Sequence, residues 1–172
     1  MNPAIALHFT VPGPPQGKGR ARSTIRKAKS GKSFVGHYTP AKTRSYEQQV
    51  AAAALDAIAE GSTGAHWPTR GVVYLTMVAA MPIPASWPAW KRDLAISGQI
   101  MPTTKPDLDN IAKTVDSLNG IAWFDDAQVV DAHTRKRYAI SEADVGVHVT
   151  VAVAATVYPA QITRRPHEEK RQ

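Results

Sequence analysis

Residues 105–131 read KPDLDNIAKTVDSLNGIAWFDDAQVVD, and how this stretch folds decides what can lie on either side of it. Leu108, Ile111, Val115 and Leu118 recur at helical spacing, which predicts a helix over 107–119 with those residues on its buried stripe. Residues two apart on a helix point about 200° away from each other. Asp107 and Asp109 therefore converge only if Asp107 lies ahead of the helix proper, as the extended N-cap residue after Pro106. Asp109, Lys113 and Asp116 share the opposite, solvent-facing side, with Asp109 and Lys113 as i,i+4 neighbours. Asn119-Gly120 then makes a turn, and the apolar run IAWF at 121–124 reads as a short extended return. The helix is about 18 Å long at 1.5 Å per residue, and the extended residues after the turn cover about 20 Å. On that geometry Asp126 comes back level with Asp107 and Asp109, and a cluster of three carboxylates is feasible.

Upstream, residues 4–11 alternate as a first strand, ended by PGPP at 12–15. A basic, Gly-containing segment follows, expected as a flexible loop over about 16–36 or an irregular hairpin. Thr39-Pro40 marks a helix start, with the helix running to Glu60, stopping at Gly61 and packing through Tyr46, Val50, Ala53 and Ala57. Residues 71–81, GVVYLTMVAAM, predict a central strand buried on both faces. The proline-rich run ending at Gly98 holds a short helix capped by Ser86, whose tryptophans are read as packing residues.

Downstream, residues 127–138 and 144–157 predict two strands joined as an antiparallel hairpin. Val145, Val147, Val149, Val151 and Val153 share one face of the second. The element order is β-α-β-α-α-β-β. It predicts one α+β domain over 1–158, a mixed sheet with two main helices packed on it, and a polar tail at 159–172.

The chain has 172 residues, 43% of them hydrophobic, enough to bury a core without staples. It has no cysteine, which removes disulfides and thiolate metal sites and fits a reducing cytosol. The start, MNPAIALHFTV, lacks a charged leader and is too short to span a bilayer, so a cytoplasmic protein with no membrane partner is expected. Lys and Arg number 21 against 14 acids, a formal charge of +7. The excess is uneven. No Asp or Glu precedes Glu47, while Lys18, Arg20, Arg22, Arg26, Lys27, Lys29 and Lys32 crowd one segment. Such a segment suits a polyanion, because each phosphate contact releases counterions. The plainer reading is a solvated basic loop.

Three close carboxylates resist ionising together unless a cation joins them. Oxygen ligands, with no cysteine and no paired histidines nearby, select Mg²⁺ or Mn²⁺ over zinc. A cation so held supports phosphodiester hydrolysis, with Lys113 holding the scissile phosphate or offsetting transition-state charge. The same residues also read as a helix cap, a first-turn acid, a surface ion pair and a turn. On residues alone the competing functions are a metal-dependent nuclease, acting on one or another branched or single-stranded DNA, and a basic DNA-binding protein without catalysis. His8 and His148 lie on strands and read as structural.

Two separated motifs carry a resemblance. Asp107-Leu108-Asp109-Asn110-Ile111-Ala112-Lys113 and Trp123-Phe124-Asp125-Asp126-Ala127-Gln128-Val129-Val130, with the basic strand His133-Thr134-Arg135-Lys136-Arg137-Tyr138, resemble the RusA family of Holliday junction resolvases of bacteria, phages and prophages. The resemblance implies a RusA-like fold, a homodimer, and symmetric cutting of four-way junction DNA in recombination and repair, using Mg²⁺ or Mn²⁺. It implies Asp107, Asp109 and Asp126 as metal-binding catalytic carboxylates and Lys113 as the essential lysine, with Asn110 and Asp125 supporting them. Arg135, Lys136 and Arg137 join the basic segment as expected DNA contacts, and Asp131 supports its strand. A dimer suits such a substrate, since two opposed cuts need two centres.

Overall fold

The structure, a computed structural model, describes residues 3–27, 33–61 and 66–154. Lys29, Lys32, the last residues of the predicted final strand and the tail at 159–172 lie outside them. In chain order the elements are β1 (Pro3–Pro12), β2 (Arg22–Lys27), β3 (Ser33–Tyr38), α1 (Ala41–Ala59), β4 (Val73–Met81), α2 (Ala89–Ile96), α3 (Leu108–Ala112), β5 (Val129–Tyr138) and β6 (Gly146–Ala154). Among the described residues no helix is long and apolar enough to cross a membrane.

The main sheet is mixed, in the order β1-β6-β4-β5, so the predicted α+β class holds. The predicted β5–β6 hairpin does not form. β6 inserts between β1 and β4, antiparallel to both, and β5 instead pairs parallel with β4 at the edge. Side chains explain this sorting. Val147, Val149 and Val151 of β6 are buried and suit an interior strand, whereas β5 carries His133, Thr134, Arg135, Lys136 and Arg137 and suits an edge. Reaching β5 from β4 in parallel requires a crossover, and α2, α3 and the 105–128 stretch supply it.

One face of the sheet is covered. Leu7, Phe9 and Val11 of β1, Val73, Leu75 and Met77 of β4, and the β6 valines meet Tyr46, Val50, Ala54 and Ala57 of α1. Ile111, Val115 and Leu118 join the same core, as the helical spacing predicts. Truncating a buried side chain here, Val50→Ala for example, costs about 2 kcal/mol. The other face is not closed, so β4 is not buried on both sides: Thr76 is exposed and Tyr74 and Val78 are partly covered. His8 pairs with Thr150 at 2.9 Å and Thr10 with His148 at 3.1 Å on that polar face.

Two local features matter for the site. Of the two forms expected for the basic segment, a flexible loop throughout or a hairpin, it takes the second: β2 and β3 pair as a separate two-stranded ribbon. The predicted helix caps differ: Pro40 and Pro88, not Thr39 and Ser86, precede α1 and α2, and neither helix has a side-chain cap bond. Trp87 packs edge-on against Tyr138 in a small second cluster, while Trp90 is exposed.

Candidate active site and basic groove

The first motif begins at a cis Lys105–Pro106 peptide. Asp107 is the N-cap residue of α3, extended at φ −68° and ψ 144°, and its side chain makes no capping bond. Its carboxylate is therefore left for something else, with only a long 3.5 Å contact from the Asn110 amide. Asp109, in the first turn, accepts a 3.0 Å hydrogen bond from Lys113, and both side chains are solvent-exposed. That hydrogen bond holds the Asp109 carboxyl below its usual range.

The α-helix does not continue to 119. After Ala112 it tightens to a 3₁₀ helix, Lys113–Leu118. The Thr114 hydroxyl donates to the Ile111 carbonyl at 2.7 Å and the Ser117 hydroxyl to the Thr114 carbonyl at 2.8 Å, so side chains compete for the carbonyls the α-helix would use.

The return is not extended either. Gly120, at φ +78°, allows a tight turn in which its N–H reaches the Trp123 carbonyl at 2.7 Å, and the Trp123 indole donates to Asn119 at 2.7 Å. The N–H groups of Ile121 and Ala122 both bond to the Leu118 carbonyl. These residues are used up in the turn rather than in retracing the helix.

Within Asp125-Asp126-Ala127-Gln128 the roles divide. Asp125 accepts the Ala127 N–H at 2.9 Å and forms a capping box with Gln128. Gln128 accepts from the Phe124 and Asp125 N–H groups and donates to the Thr69 and Gly71 carbonyls. Asp125 is thus spent within the turn, and Gln128 on holding that turn to the approach of β4. Asp126 is exposed and has no side-chain hydrogen bond or ion pair among the described residues.

These contacts also place the acids. Lys136 donates to the Thr104 and Pro106 carbonyls at 2.7 and 3.1 Å, fastening the Asp107 end of the motif beside the late part of β5. Gln128 fastens the Asp126 turn at the start of β5, and Val129 to Lys136 spans roughly 23 Å of strand. Among the described residues no group of three or more His, Asp or Glu side chains lies close enough to hold a metal ion. Asp107, Asp109 and Asp126 are thus not drawn together as such a group among the described residues.

Asp107 instead faces a groove. The segment from Pro15 to Arg22 runs along the starts of α1 and α3 and with them encloses a groove of about 730 Å³. The Lys18 N–H bonds to the Asn110 carbonyl at 2.7 Å and the Gly19 N–H to the Thr43 hydroxyl at 3.0 Å. Gly17 eases this approach, since a Cβ there would sit 3.0 Å from Asn110 Cβ and 3.2 Å from Pro106 Cβ and push both back by a few tenths of an ångström.

The groove's cations are not equivalent. Lys18 reaches Glu47 at 3.0 Å and Asp116 at 3.1 Å; burial works against its charge, but these carboxylates outweigh it and its pKa is raised. Arg20, Arg22, Lys42 and Lys105 also line the groove, and none has an ion-pair partner among the described residues. Lys42 and Lys105 are missed by a reading that looks only for a run of cations, because the fold brings them to Arg20 from distant positions.

The sequence model for endodeoxyribonuclease RusA matches residues 12–152. The chain belongs to the RusA family. An uncharacterized protein of Bacillus subtilis (strain 168), YqaN, is 36% identical over 139 residues, covering 77% of this chain and 88% of that protein. Both family motifs fall inside the matched span, at the two ends of the α3 to β5 crossover. In this RusA-family chain the basic strand is partly committed internally: Lys136 to carbonyls as above, and Arg137 to Asp144 through both terminal nitrogens. Arg135 is exposed and has no such partner among the described residues. Arg22 and Lys27 are exposed on β2.

Proposed function

We propose that the protein is a divalent-cation-dependent endonuclease that resolves four-way DNA junctions as a homodimer. Family membership supports an endodeoxyribonuclease, and nucleases of this family depend on a divalent cation. The observation that carries the reading in this chain is Asp107, an uncapped carboxylate lining a groove with Arg20, Arg22, Lys42 and Lys105, which have no ion-pair partner among the described residues. A stability role would have used that carboxylate as a cap. The core running from Leu7 to Val151 supports a single domain; we place it over 1–158, with 159–172 as a tail.

The donor chemistry suits Mg²⁺ or Mn²⁺: Asp107 and Asp109 are hard oxygen ligands. When bound, such a cation acidifies water and offsets charge on a phosphoryl oxygen. Asp126, exposed and without a side-chain partner among the described residues, would complete the set, supplied by a second copy in the homodimer. The chain's own residues do the rest. Arg20, Arg22, Lys42 and Lys105 would hold phosphates along the groove, and Lys113 keeps Asp109 ionised while standing beside the scissile position. Asn110 would orient Asp107, and Asp125 supports Asp126 by fixing its turn. Arg135 would extend the phosphate contacts along β5.

Cleavage of a synthetic mobile junction, beside forks and linear duplex, tests the reading. Paired nicks in opposed strands are expected in Mg²⁺ and none in EDTA. Equal cutting of linear duplex, or binding with no nicking in Mg²⁺, would overturn it.

A further inference from the structure

We propose that the β2–β3 hairpin is a wedge that places the Ile25–Val35 pair in an opened base step at the branch point of the DNA. The inference rests on the junction-nuclease reading above and names a part of the substrate contact which that reading leaves unassigned. Ile25 and Val35 are directly opposite each other in the hairpin ladder, and they are 75% and 60% exposed. The hairpin is separate from the main sheet, and neither residue belongs to a core cluster. A cross-strand apolar pair steadies a ribbon modestly, but here it leaves most of its apolar surface uncovered.

Charge selects the occupant. Lys27 shares a strand face with Ile25, Arg22 opens the same strand, and no acid occurs before Glu47. A second copy brings the same cations to the contact and is repelled. A polyanion is attracted, and the apolar surfaces it offers are the faces of its bases. In continuous duplex those faces are stacked, whereas at a branch the stack is interrupted and the cost of entering it falls. A two-stranded ribbon is also narrow enough to enter a DNA groove. The position fits the cut site: Arg22 lines the Asp107 groove, and Ile25 lies about 10 Å further along the strand. Wedge and groove would thus read branch point and scissile strand together.

The test uses 2-aminopurine, either flanking the branch of a four-way junction or in mid-arm, with Ca²⁺ present to hold the uncut complex. Wild-type protein is expected to brighten the branch probe several-fold and leave the mid-arm probe dark. Ile25→Thr/Val35→Thr keeps β-propensity. It is expected to keep duplex affinity, lose the brightening, and lose about tenfold of the preference for junction over duplex. Wild-type protein that cuts junctions with the branch probe dark overturns the wedge alone, because cleavage is intact. A double variant equal to wild type in both readouts, or one that changes only sedimenting mass, overturns it also. Failure of wild-type protein to bind junctions at all overturns both this and the reading it rests on.

Discussion

Asp125 and Asp126 are neighbours with opposite tasks. Asp125 ties down its own turn by accepting the Ala127 N–H and sharing a capping box with Gln128, while Asp126 has no side-chain partner among the described residues. Asp125→Ala is expected to cost about 1 kcal/mol of stability through the lost cap, read as a lower urea midpoint. Asp126→Asn is expected to leave that midpoint in place, keep junction binding, and lower the cleavage rate about 10³-fold or more. A large stability loss at Asp126, or retained cleavage there, would contradict the division. Sequence alone could nominate the pair but not separate its members, because which acid caps the turn depends on where the 3₁₀ turn starts. Asp107 was legible as an N-cap position from Pro106 and the following apolar spacing. That its side chain would decline the capping bond was not, since that depends on the groove across from it.

At the scale of elements, the segment from Pro15 to Arg22 is where charge and packing part company. Lys18 is engaged by Glu47 and Asp116, so Lys18→Met is expected to cost about 1 kcal/mol of stability without changing the salt dependence of DNA binding. Lys42→Ala and Lys105→Ala should do the reverse, each lowering the slope of log affinity against log salt by about one while thermal midpoints stay put. A second element-level test lies where β5 turns into β6. Asp144 accepts from Arg137, from the Ile140 N–H at 2.8 Å, and from His148 at 3.1 Å, and Arg137 holds its carboxyl well below the usual carboxylate range. Asp144→Ala is expected to cost about 2 kcal/mol at neutral pH, leaving Arg137 short of a partner. With the folded pKa below the unfolded value near 4, that contribution is whole above about pH 4 and fades as pH falls toward the folded value. The gap between wild type and variant in urea midpoints should therefore close in acid; a gap that widened would refute the assignment. The β6 valines announced a strand plainly, yet alternation says nothing about which neighbour a strand takes. Burial decided that, placing the valine-rich strand inside and the cationic one at the edge. Likewise the 107–119 spacing gave the right buried face, but Thr114 and Ser117 bonding back to carbonyls shortened the α-helix.

For the whole molecule, the separation of Asp107 from Asp126 along β5 sets the argument. Lys136 ties the Asp107 motif to the late part of β5, and the Asp126 turn precedes the start of that strand, so if the three acids serve one cation, a site shared between two copies is the arrangement we propose. A twofold pair would bring the Asp126 turn of each copy to the Asp107 groove of the other, giving two equivalent centres for two opposed cuts. Mixing settles this directly. Asp107→Asn and Asp126→Asn homodimers should each fail to nick a junction. In the mixed dimer one centre collects both substitutions and the other collects neither. Co-refolded at equal amounts, the two inactive proteins are expected to regain nicking in one strand, at about a quarter of the wild-type nicking rate: half of the dimers are mixed, each with one of two centres intact. Each junction would then be nicked without being resolved by paired cuts. Separate acids serving separate centres within each chain would leave the mixture as inactive as its parts.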